Sequence, residues 1–171
     1  MKNILKAGMV LAAISVSGIA SAATFSPSSG SFVYEGNVTV VKDGPILGCD
    51  LRITIDAAAQ TAAAAFVGGD LGCTFINVSG AAAISLAAGS PETITFGSPN
   101  WYIIPPFSPD HCSGAISAQW FDASPTGTSP SRIVATSAST MSPAIGHGGS
   151  DCIIVGTLNQ VTAGTQLQIQ P

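Results

Sequence analysis

Apolar and polar residues alternate most clearly where Leu47, Cys49, Leu51, Ile53 and Ile55 share one face and Gly48, Asp50, Arg52, Thr54 and Asp56 the other. A period of two marks a half-buried strand. It returns at Cys112, Gly114, Ile116, Ala118 and Trp120, opposed by Ser113, Ala115, Ser117 and Gln119. Further strands are predicted over Phe32 to Val41, Thr61 to Val67, Cys73 to Val78, Glu92 to Phe96, Arg132 to Ser137, Cys152 to Leu158 and Thr165 to Gln170. Turn-forming runs separate them: Lys42 to Pro45, Gly68 to Asp70, Gly97 to Pro99, Ser124 to Gly127 and Gly146 to Gly149. Short strands punctuated in this way predict an all-β fold, an antiparallel sandwich or barrel. The alanine run Ala57 to Ala65 is the ambiguous stretch, because alanine is the best helix former. An isolated helix of two turns is marginal, so the run is read as a hairpin.

The chain opens with Lys2 and Lys6, runs apolar from Met9 to Ile19 and reaches small residues at Ala20-Ser21-Ala22. That order is a secretory signal peptide with its cut after Ala22, leaving a single β domain from Ala23 to Pro171. The leader is too short to span a bilayer, and no later apolar run approaches the roughly 20 residues a transmembrane span needs. No cysteine stands where a lipid anchor would require one.

Beyond the leader, Lys42, Arg52 and Arg132 face nine acidic residues. So few cations exclude nucleic acid as a partner, since phosphate binding depends on Lys and Arg. All four cysteines, Cys49, Cys73, Cys112 and Cys152, follow the leader, and an even number in an exported chain predicts two disulfides. Three connectivities are open. The echo of Gly-Gly-Asp-Leu-Gly before Cys73 in Gly-Gly-Ser-Asp before Cys152 favours Cys49–Cys73 with Cys112–Cys152, and hints at two related halves.

Catalytic chemistry has little to work with. There is no G-x-S-x-G elbow, and His111 and His147 are the available imidazoles. His111 stands beside Cys112, but that thiol is a nucleophile only if it is free. Gly146-His147-Gly148-Gly149 resembles an oxyanion loop without its nucleophile and is read as a turn. Asp50, Asp56, Asp70 and Asp151 offer hard oxygen ligands near strand ends, yet no D-x-D-x-D-G calcium loop exists. The expectation is a non-enzymatic protein with no cofactor and no metal.

The segment Pro99 to Phe107 differs from the rest of the chain. It sets Trp101, Tyr102, Ile103, Ile104 and Phe107 among stiffening prolines without clear alternation. Such a segment either presents an apolar contact patch or forms a buried strand from Trp101 to Ile104 that Pro105-Pro106 terminates.

Several stretches together resemble the exported proteins described as alkane oxidation activators, the PraA/PraB group, which includes a biofilm adhesin. They are the leader, Ser26-Pro27 with Gly30-Ser31-Phe32, Lys42 with Gly44 and Leu47-Gly48-Cys49, Ala65-Phe66 with Gly68-Gly69 and Cys73, the Trp101 segment, and Asp151-Cys152 with Gly156-Thr157-Leu158. The loop Pro105 to Asp110 and the alanine run depart from that pattern. The resemblance implies a secreted or cell-surface protein that promotes contact with alkanes or adhesion in a biofilm, through self-association, matrix components or a hydrocarbon surface. The competing expectation is a fimbrial subunit assembled by strand pairing, with Thr165 to Gln170 as edge or donor strand.

Overall fold

A computed structural model of the chain describes residues 23–42, 46–97, 102–104, 112–142 and 151–171. The predicted leader lies outside the described residues. In chain order the strands are β1 (Thr24–Ser26), β2 (Ser31–Val41), β3 (Ile46–Asp56), β4 (Thr61–Gly69), β5 (Asn77–Val78), β6 (Ala82–Ala87), β7 (Glu92–Gly97), β8 (Tyr102–Ile104), β9 (Cys112–Ser113), β10 (Ile116–Phe121), β11 (Arg132–Ala135), β12 (Thr140–Met141), β13 (Cys152–Gln160) and β14 (Gln168–Gln170). A 3-10 turn, Leu71–Phe75, follows β4. Eight strands close into an antiparallel barrel in the order β2, β3, β4, β6, β7, β10, β11, β13 and back to β2. Around the ring the registers return to β13 shifted by roughly ten residues, the stagger that a small tilted barrel requires.

The predicted alternation decides which face turns inward. Leu51, Ile53 and Ile55 are buried, while Asp50, Arg52 and Asp56 are exposed. Apolar-in and polar-out is the reverse of a membrane-spanning barrel, whose outer band is apolar. The alanine run is a hairpin, as the sequence predicts. Asp56 Oδ1 accepts hydrogen bonds from the N–H groups of Ala58 and Ala59, starting the turn, and Ala62 then packs inward opposite Ile55. The middle of the barrel, between Leu51, Ile53, Phe96, Ile133, Ile154 and Leu158, retains a void of only about 30 Å³. That is room for a water and far below a ligand cavity.

Two glycines let the ring close. A Cβ on Gly36 would lie 2.0 Å from the Thr157 carbonyl oxygen, and one on Gly156 would lie 2.5 Å from that of Asn37. Only glycine lets β2 and β13 approach so closely at this corner.

A short ribbon of β1 and β14 seals one end. Phe25 and Tyr34 lie against Trp120 at centroid distances of 6.0 and 5.5 Å, with Leu167 and Ile169 buried beside them. A buried polar network ties the seal to the barrel. Gln160 Oε1 accepts from Tyr34 Oη (3.2 Å), Ser131 Oγ (2.9 Å) and the Leu167 N–H (2.8 Å), and its Nε2 donates to the Thr162 and Thr165 carbonyls. Burial pushes the Tyr34 phenol well above its ordinary range, so it stays protonated and able to donate. The predicted donor segment Thr165 to Gln170 is therefore docked within its own chain: β14 pairs with β1 and turns Leu167 and Ile169 inward.

Both disulfides sit at the other end, as Cys49–Cys73 and Cys112–Cys152. The pairing matches the expectation, but the echo does not divide the fold into halves. The first bridge spans the β3–β4 hairpin and the 3-10 turn, the second spans β10 to β12, and both staple one barrel. Elsewhere the boundaries shift. Cys73 to Val78 is a 3-10 turn followed by two residues of strand, and the strand predicted from Cys112 breaks at Gly114, whose φ is +116°. Gly68 and Gly69 belong to β4 rather than to a turn.

The network predicts a graded response. Gln160→Ala strips partners from the Leu167 N–H and two carbonyls and should lower unfolding stability by about 3 kcal/mol in urea titrations. Tyr34→Phe should cost about 1 kcal/mol, because Ser131 and Gln160 still bond each other. Glu92 supplies a pH test. Partial burial, and then the charge of Asp122, hold its carboxyl above the ordinary glutamate range. A raised folded-state value favours folding at low pH and loses that contribution as pH rises through it. Glu92→Gln should therefore raise the melting temperature at neutral pH and leave it unchanged below the ordinary glutamate pKa.

Candidate functional site

The disulfide end carries an apolar surface that grows out of the end of β4. The registers Asp50 to Gly68 and Leu51 to Phe66 leave Val67 as the extra residue of a β-bulge, and it is half exposed. Gly69 follows at φ +105°, where a Cβ would lie 2.3 Å from the Gly48 carbonyl oxygen. Asp70 then pairs with Gly48 in both directions: its N–H donates to the Gly48 carbonyl (2.8 Å), and its Oδ2 accepts from the Gly48 N–H (2.7 Å). The chain curls into the 3-10 turn as the Cys73 N–H donates to the Asp70 carbonyl and Thr74 Oγ1 donates to the Leu71 carbonyl.

The turn is pinned from inside. Gly72 and Cys73 are buried, Cys73 through its bond to Cys49 and Gly72 against the Leu47 side chain, which a Cβ would have to displace. With these two residues fixed inward, Leu71 and Phe75 project into solvent at 86% and 63% exposure. Ile46, next to Leu47, is also exposed, and on the outer face it pairs across to Val41, which pairs with Ile153 of β13. Val67, Leu71 and Phe75 are thus exposed along one bulge and turn, and Ile46, Val41 and Ile153 form a row across three strands at the same end of the barrel. Adjacent side chains in such a row lie about 5 Å apart. Four of the six large hydrophobic residues exposed among the described residues belong to this rim.

The segment singled out in the sequence lies at the same end. Tyr102–Ile104 is strand β8, with Ile103 opposite Val78 of β5 and also opposite Cys112 of β9, so its backbone runs between the 3-10 turn and the second disulfide. Trp101 and Phe107 lie outside the described residues. The rim itself was missed. Reading Cys73 to Val78 as a strand puts Phe75 on the same face as Cys73, hence inside, whereas the 3-10 turn sends it outward. The signal available was Gly-Gly-Asp followed by Leu-Gly-Cys, a turn and a tethered loop rather than a strand start.

The other candidate chemistry does not converge. Asp50 and Asp70 flank Gly48, while Asp56 is engaged with the hairpin turn at the far end of β3. Among the described residues no three metal-ligating side chains gather. The Cys112 sulfur is bonded to Cys152, which leaves no thiol beside His111. No helix among the described residues is long and apolar enough to cross a membrane.

No curated protein and no solved structure matches the chain. A family model described as "Alkane oxidation protein activator PraA/PraB-like" matches residues 1–170. With a leader-like start, paired cysteines and a β domain all within that match, the chain belongs to the PraA/PraB-like family of alkane oxidation protein activators.

Proposed function

We propose that this protein acts outside the cytoplasm, without catalysis, as a rigid module whose apolar rim adsorbs to hydrocarbon and comparable low-polarity surfaces. The observation that carries this is the exposure of Leu71 and Phe75 on a turn that a disulfide holds in place. Large apolar side chains on a mobile loop would fold back on themselves. Here Gly72 and Cys73 prevent it. Two disulfides suit an oxidising, extracytoplasmic compartment.

The barrel interior supports the same reading by elimination. A void of about 30 Å³ does not admit an alkane chain, so contact with hydrocarbon falls to the outer surface. Burying one leucine or phenylalanine side chain is worth about 1.5–3 kcal/mol, so a few such residues give useful adsorption without a pocket. Adhesion within a biofilm draws on the same rim, since a surface that wets oil also wets other apolar surfaces. Assembly by strand donation finds less support, because the ring is closed and the terminal strand β14 is engaged with β1.

Leu71→Ser combined with Phe75→Ser should reduce adsorption to hexadecane droplets by at least ten-fold, with the melting temperature unchanged. Adsorption equal to that of the parent protein overturns the role of the rim, and Trp101→Ser with Phe107→Ser, tested alongside, reports whether the neighbouring segment carries it instead. Replacing Cys49 and Cys73 with serine should cost about 3–4 kcal/mol of stability by the loop-entropy relation. At temperatures where that variant remains folded, its droplet adsorption should also fall, because Leu71 and Phe75 lose their anchor.

A further inference from the structure

At the end of the barrel sealed by β1 and β14, away from the apolar rim, an open cleft of about 650 Å³ is lined by Ser26, Asp122, Ser124, Thr165, Gln166 and Gln168 together with small and proline residues. Its size is that of a small-molecule site. Its polar groups are hydroxyls, amides and one carboxylate, with no lysine or arginine to attract an anion, and its apolar lining is limited to Pro27, Ala123 and Pro125 and the stems of the polar side chains.

Two of the polar groups are held in fixed orientations by the fold. Asp122 Oδ1 accepts from the Trp120 indole N–H at 2.9 Å and from the Ile169 N–H at 3.1 Å. Both bonds fall on one oxygen and leave Oδ2 as an acceptor. Gln166 Oε1 accepts from the Ser131 N–H at 3.1 Å, which leaves its amide Nε2 as a donor. Ser26 and Gln168 are paired residues of the β1–β14 ribbon, so that wall is fixed as well. A carboxylate acceptor, an amide donor and hydroxyls that do either match a ligand whose own groups both donate and accept. Preorganised groups of this kind lower the ordering cost of binding.

We infer that this cleft is a binding site for a neutral saccharide, bound through its hydroxyl groups at Asp122 Oδ2 and Gln166 Nε2. The site is separate from the rim in position and in chemistry, and it stands or falls without the hydrocarbon reading.

The Trp120 indole provides the readout, because its N–H donates to the same carboxylate. In nitrogen-15 correlation spectra of the folded, secreted protein, Trp101→Phe identifies the Trp120 indole resonance. Maltotriose, mannotriose and chitotriose are then titrated separately, with glucosamine as a cationic control and galacturonate as an anionic one. At least one neutral trisaccharide should shift the Trp120 indole resonance saturably. Asp122→Asn keeps an oxygen for Trp120 and Ile169 but replaces the charged acceptor, and should weaken that binding roughly ten-fold. Thr165→Tyr, at an exposed position on the cleft, should block it while leaving the melting temperature unchanged. The inference is overturned if none of the three trisaccharides moves the resonance, if Thr165→Tyr binds as the parent does, or if only glucosamine or only galacturonate binds.

Discussion

Strand β13 is shared by two neighbours on one edge and one on the other, and the barrel exists because it is. Its first residues pair with β12, its last with β11, and along its other edge it pairs with β2 on both sides of the glycine corner. Without the β11 pairing the ring would be an open sheet with two exposed edges, a template for pairing with other chains. The closure needs β2 and β13 to approach within a distance that Gly36 and Gly156 alone permit. Ring closure in turn fixes what lies at each end: Cys152 opens β13 beside the disulfide rim, and Gln160 closes it within the polar network of the seal. The apolar rim and the polar cleft are thus held at opposite ends of one strand.

A closed and filled barrel constrains function as firmly as it constrains shape. In wider barrels the interior is the natural ligand site. In this one Phe96, Ile133, Ile154 and Leu158 occupy that space, and the two ends are closed by different means. One has a ribbon of terminal strands with an aromatic cluster and a satisfied hydrogen-bond network; the other has two disulfides and a short three-stranded sheet.

The long strands were legible because each buries a single face, so residues such as Leu51, Ile53 and Ile55 carry the period directly. The alanine run Ala57 to Ala65 was legible as a hairpin because an isolated helix of two turns is marginal, and the structure adds what fixes the turn: Asp56 Oδ1 accepting from the Ala58 and Ala59 N–H groups, with small Ala62 packed inward. The disulfide pairing followed from the echo before Cys73 and Cys152, although both bridges staple one barrel and the echo does not mark two halves. Short elements were less visible. Strands β1 and β12 span three and two residues, too few for periodicity to register, and β6 is an alanine-rich stretch whose inward Ala82 and Ile84 alternate with Ala83 and Ser85 only weakly. The site residues were harder still. Phe75 looks like an interior residue of a strand that begins at Cys73, and only the 3-10 turn held at Gly72 and Cys73 sends it outward. Asp122 looks like an ordinary loop carboxylate until Trp120 and Ile169 are seen to fix one of its oxygens.

The contrast between the ends has a physical consequence of its own. An apolar flange adsorbs without regard to direction, because apolar burial is non-directional. A cleft of oriented donors and acceptors does the opposite, requiring a partner whose groups meet fixed positions. Joined by a stiff barrel, the first end can sit on an oil or solid surface while the second stays in water, since nothing in the flange competes for its polar groups. A flexible tether between the two would let the cleft fold down onto the adsorbed surface. The closed ring forbids that, so two disulfides, a sealed end and a glycine-tight corner together keep the apolar rim and the polar cleft at a fixed separation.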